Sequence, residues 1–106
     1  MLLNFSSYDI PEHTQQGFED YIVYGLPPGS FMYAVVSNNL LGAVSHADHW
    51  NKERITDIVQ WLAAYAPSAC WGSREKVEIW LKDEDGIRKE YRERLEKNKM
   101  WEVLQS

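Results

Sequence analysis

Residues Leu26–Asn51 read LPPGSFMYAVVSNNLLGAVSHADHWN, and this stretch decides the fold. Pro27 fixes its own φ and is further restricted by Pro28, so Leu26-Pro27-Pro28-Gly29 is a stiff turn between two elements. Beyond it Phe31, Ala34 and Val35 recur at helical spacing, and Ser30 stands where a helix cap belongs. Asn38-Asn39 interrupts the pattern, and Asn39 is suited to cap a continuation from Leu40 to Ala47. The section is apolar on most sides, as the central helix of a bundle is, and Gly42 and Ala43 admit a close neighbour.

Toward the N-terminus, Pro11 suits a first helical turn, where its missing N–H is harmless. Thr14, Phe18, Tyr21, Ile22 and Gly25 follow the helical spacing, which predicts a helix over 11–24 ended by Gly25. Residues 1–10 read as an extended arm whose Leu2, Leu3, Phe5 and Tyr8 can pack on the body.

Toward the C-terminus, Ile55, Ile58, Val59 and Leu62 line one face of an amphipathic helix that Pro67 ends. A loop through Gly72 follows, and Ser73 caps a short helix carrying Val77, Trp80 and Leu81. Asp83-Glu84-Asp85-Gly86 then breaks the chain. In the charged tail Glu84–Arg88, Asp85–Lys89, Glu90–Arg94 and Glu93–Lys97 place acid four residues before base, the favourable order. Its stripe of Ile87, Tyr91, Leu95, Met100, Val103 and Leu104 must rest on the domain or on a second copy. The fold expected is all-α: one domain, a compact bundle of about four to five helices. Its parts are an arm at 1–10, a core at 11–82 and a charged C-terminal helix at 83–106.

Charge is unevenly spread. Residues 1–51 hold no lysine or arginine, and all 11 basic residues fall from Lys52 onward, within a net charge of −5. A nucleic-acid partner needs several basic contacts, which half of this chain does not supply, so that class is disfavoured. The hydrophobic share of 44% is that of a globular protein. A lone Cys70 excludes an internal disulfide and fits a reducing compartment. Met1-Leu2-Leu3-Asn4-Phe5 lacks the form of a signal peptide, and no apolar run approaches the ~18–20 residues of a membrane span. A cytoplasmic protein without membrane attachment is expected.

The polar cluster His46, Asp48, His49 and Asn51 has groups suited to a metal or to proton transfer. Yet His46 and His49 are three residues apart, whereas a helical zinc pair uses four and needs further ligands. Asp48 is better read as the cap of a helix starting near His49, with Asn51 bonding a neighbouring loop. Cys70 has no flanking signature of a nucleophile and reads as a structural thiol, with Trp71-Gly72-Ser73 as a turn that tucks an indole over the core. No phosphate loop, dinucleotide fingerprint or nucleophile elbow occurs, so neither cofactor, metal nor enzymatic activity is expected. Five tryptophans and six tyrosines exceed the needs of so small a core and point to contact with a partner. The candidate ligand- or partner-binding residues are His46, Asp48, His49, Trp50, Asn51, Arg54, Trp61, Trp71 and Arg74.

One succession of motifs spans residues 10–81. It runs Ile10-Pro11-Glu12-His13-Thr14, Tyr21, Gly25, Pro28-Gly29-Ser30-Phe31, Ala34-Val35, Asn38-Asn39-Leu40, Ala43, Ala47-Asp48 and Asn51. It continues with Ile58-Val59, Trp61, Ala66-Pro67, Cys70-Trp71-Gly72-Ser73 and Trp80. This order resembles a group of short, mostly uncharacterised proteins of tailed bacteriophages. The resemblance transfers no active site. It implies a phage setting, the host bacterial cytoplasm, and an accessory protein that binds a host protein to inhibit a defence system or a host enzyme. The acidic half then calls for a partner with a basic surface, anchored by Trp50 or Trp61. One alternative is a sponge for a small nucleotide-type signal, held by Asp48, Asn51, a stacked tryptophan and Arg54 or Arg74. Another is a structural homo-oligomer paired through the C-terminal helix.

Overall fold

The computed structural model describes residues 1–105; Ser106, the last residue of the expected C-terminal helix, lies outside them. The described residues form seven α-helices and no strand, an all-α fold with more helices than the expected four to five. Helix α1, Glu12–Phe18, runs directly into a π-helical turn, Glu19–Val23. Then come α2, Ser30–Val36; α3, Leu40–His46; α4, His49–Lys52; and α5, Ile55–Tyr65. A 3₁₀ turn, Ser68–Cys70, leads to α6, Arg74–Lys82, and α7, Ile87–Gln105.

The extra helices come from polar residues that restart the chain. Asn38 sits in the left-handed region at φ 64°, which turns the backbone out of α2, and the Asn39 side chain then accepts the Gly42 N–H at 3.0 Å. Asp48 does the same for α4, accepting Asn51 N–H at 2.8 Å, and Ser73 for α6, accepting Lys76 N–H at 3.1 Å. Ser30 does not cap α2. Gly29 holds that position and Ser30 is the first helical residue, with no side-chain cap bond.

The π-turn is the spindle of the core. Gly25 at φ 68° ends it, with Gly25 N–H donating to Tyr21 O and Leu26 N–H to Asp20 O, both at 3.0 Å. Tyr21, Ile22 and Val23 are all fully buried in it. Tyr21 Oη donates to Cys70 O at 2.6 Å, and Trp80 Nε1 donates to Ile22 O at 3.2 Å. Glu19, buried at the same level, accepts Leu2 N–H at 2.8 Å and Leu3 N–H at 3.0 Å. The arm is thereby tied down, and its Phe5 ring stacks 4.4 Å from Trp61. Cys70 is fully buried, and desolvation pushes its thiol up to about 12, so it stays protonated at neutral pH.

Helix α5 is rotated from the expected face. Ile58, Trp61 and Leu62 are buried while Val59 is exposed, because Trp61 turns toward Phe5 and Phe18.

Helix α7 is anchored at its start. The Asp83 carboxylate accepts the N–H groups of Arg88 and Lys89, at 2.8 and 3.1 Å. Arg88 reaches back to Trp80 O at 3.1 Å and Leu81 O at 3.3 Å, satisfying carbonyls at the end of α6. Tyr91 and Leu95 pack on the core, and Lys99 Nζ donates to Met1 O at 2.7 Å. The expected ladder of acid-before-base pairs is not what forms. Arg88 leaves Glu84 for backbone carbonyls, and the ion pair on α7 among the described residues is Arg92–Glu96 at 2.8 Å, base first.

Candidate functional site

The polar cluster ties α1 to α4. His13 Nε2 lies 3.0 Å from Asp48 Oδ2, and Thr14 Oγ1 donates to Asn51 Oδ1 at 2.5 Å. An ionised Asp48 accepts only, so His13 carries its proton on Nε2. Asn51 Nδ2, 3.5 Å from the same nitrogen, is also a donor and cannot use it at the same time. Asp48 is held below the usual carboxylate range, first by the Asn51 backbone N–H and then by the His13 bond.

A His–Asp pair is half of a proton-transfer device. Here the neighbouring hydroxyl, Thr14, is 3% exposed and gives its proton to Asn51 rather than to His13. The cluster therefore holds two helices in register; it does not arm a nucleophile. Among the described residues no three His, Cys, Asp or Glu side chains come together as metal ligands.

Ahead of Asp48 in sequence, α3 presents apolar side chains to solvent. On α3, Leu40, Leu41 and Val44 stand at i, i+1 and i+4, on one side of the helix. They are exposed, Leu40 at 70% and Leu41 at 81%, while Ala43 is the residue that α3 buries. Gly42 is why α3 can lie so close to α2: a Cβ there would stand 3.1 Å from the Ala34 methyl and 2.6 Å from the Asn39 amide nitrogen. Trp50, on α4, is 54% exposed, with its ring centroid 4.5 Å from that of His49. Arg54 fixes the turn beyond it, donating to Trp50 O at 2.9 Å and pairing with Asp9 at 3.1 Å.

The remaining candidates scatter. His46 and Asp48 line a cleft of about 430 Å³ beside Pro27-Pro28-Gly29, and Arg74 lines an adjoining depression that shares His46. Asn51 is buried with its amide engaged, so it contributes to the site only by holding α4. Trp61 is 1% exposed and its Nε1 donates to Asn4 O at 2.9 Å; as a surface anchor it is ruled out, because the core needs its ring. Trp71 is half-buried and packs on the core. Sequence reasoning missed His13 and Thr14, whose partners lie 35 and 37 residues away, a separation that no local pattern encodes.

No helix among the described residues is long and apolar enough to cross a membrane. Set against models of known protein families, curated proteins and solved structures, the chain matches none of them.

Proposed function

We propose that the chain is a small non-enzymatic accessory protein of a tailed bacteriophage, which binds a host bacterial protein in the cytoplasm and restrains its activity. The observation that carries this reading is the exposed apolar side chains of α3 and α4. Leu40, Leu41, Val44 and Trp50 are exposed within eleven residues of one another in sequence, on short helices whose starts Asn39 and Asp48 cap. Exposed leucines and a tryptophan are the side chains from which binding hot spots are built. The net negative charge lies in the base-free half as a whole, and a partner with Lys or Arg beside an apolar recess, such as a host defence protein or nucleic-acid enzyme, would complement it. A sponge for a nucleotide-type signal is less well supported: Asn51 is already engaged and Arg54 is paired with Asp9.

The test is capture from bacterial lysate on wild-type chain, Trp50→Ala and Leu41→Asp, each first shown to be folded by circular dichroism. A host protein retained by the wild type should bind Trp50→Ala roughly 30-fold more weakly, about 2 kcal/mol. Equal retention by all three chains rejects the face, and stoichiometric recovery of a small molecule instead rejects the protein partner.

A further inference from the structure

Helix α7 has a second face that the domain does not use. Tyr91 and Leu95 pack inward, and Leu95, Asn98, Lys99 and Glu102 border the N-terminal arm. On another side, Ile87, Glu90, Arg94, Lys97, Trp101 and Leu104 recur at alternating spacings of three and four, the spacing of a helix-pairing seam. All six are exposed. The seam is apolar at both ends and charged in the middle. Beside its start lies a cleft of about 340 Å³ lined by Ile79, Trp80 and Ile87, with Asp83, Glu84 and Asp85 among its walls.

We infer that this seam binds a second copy of the chain, with the two α7 helices antiparallel. Charge decides the direction. Parallel pairing sets Glu90, Arg94 and Lys97 each against itself, three like-charge pairs along one seam. The antiparallel register that sets Glu90 against Lys97 of the second copy also brings Arg94 level with Glu93 and Ile87 level with Met100, both of which flank the seam. In that register Trp101 and Leu104 of each copy come over the Asp83–Gly86 turn of the other, beside the Ile79–Ile87 cleft. The turn and its cleft cover the apolar C-terminal end of each helix, and the Glu90–Lys97 charges in the middle neutralise one another. The contact is isologous and closes at two copies. It does not involve α3 or α4, so it stands or falls independently of the host-protein face.

Glu90 and Lys97 lie about 10 Å apart along one helix, too far to pair within a chain. This makes a charge swap diagnostic. The full-length chain is followed by sedimentation equilibrium from about 1 to about 200 µM, a range that brackets the affinity of a small interface. The wild type should reach double mass. Glu90→Lys and Lys97→Glu should each weaken the dimer about tenfold, since each mutation alters two symmetric contacts. Glu90→Lys combined with Lys97→Glu should recover the wild-type affinity to within about threefold. Trp101→Glu should give a folded monomer. A wild type that stays monomeric throughout overturns the inference. So does a dimer indifferent to the single swaps, or a double swap that fails to recover.

Discussion

Removing the Glu19 carboxylate should release the N-terminal arm and lower the stability of the whole chain. Glu19 is 3% exposed, and each of its oxygens accepts one arm N–H, from Leu2 at 2.8 Å and Leu3 at 3.0 Å. Hydrogen bonds to a charged group contribute about 1.5–3 kcal/mol each, so Glu19→Ala should cost roughly 3–5 kcal/mol. Glu19→Gln keeps one acceptor oxygen but turns an NH₂ toward the second N–H, and should cost about half as much. The loss passes to the core through the arm, because Phe5 stacks on Trp61 and Asn4 O accepts the Trp61 indole N–H. Urea unfolding followed by circular dichroism measures the first quantity, with the slope of the transition checked for constancy. Amide hydrogen exchange at Leu2 and Leu3 measures the second, and both amides should lose protection in Glu19→Ala. A cost below about 1 kcal/mol for Glu19→Ala refutes the reasoning, given the range for even one such bond. Equal costs for alanine and glutamine would show that the lost bonds are not its source.

Two further outcomes follow from the same geometry. Because Asp48 is held below its ordinary range, its contribution is complete above the unfolded carboxylate value and is lost as pH falls through the folded one. The melting temperature of the wild type should therefore fall faster below about pH 4 than that of Asp48→Asn, which keeps a capping oxygen without the titration; parallel curves reject the assignment. Gly25→Ala places a Cβ at φ 68° and into the Arg88 guanidinium, which Trp80 O and Leu81 O hold in place. It should cost about 2–3 kcal/mol in urea unfolding, and a change below about 0.5 kcal/mol would show that Arg88 yields freely.

Much of the chain's punctuation was legible because it is local. Asn39, Asp48 and Ser73 each bond an N–H three residues on, and Gly25 adopts the positive φ that a helix end requires, so residue type and position sufficed. What the sequence did not disclose depends on contacts distant along the chain. Periodicity alone put Val59 on the inner face of α5; the arm, arriving from residue 5, turns Trp61 inward instead. Spacing alone paired Glu84 with Arg88, but two unsatisfied carbonyls at the end of α6 compete for that guanidinium and win it. The Asp48 cap was readable, whereas its bond to His13 was not, since nothing near residue 13 marks a partner at 48. Nor do neighbours in sequence reveal that Trp50 is exposed while Trp61 is buried in the core.

The tryptophans show how the chain divides its surface. Trp61 and Trp80 bury their rings and donate their N–H groups to backbone carbonyls, so their contribution is to the core. Trp50 and Trp101 stay exposed. Trp50 has Asp48 on one side in sequence and Lys52 and Arg54 on the other, and Arg54 donates to its carbonyl. Trp101 ends a helix in which both signs alternate, and a surface carrying both signs can complement a reversed copy of itself.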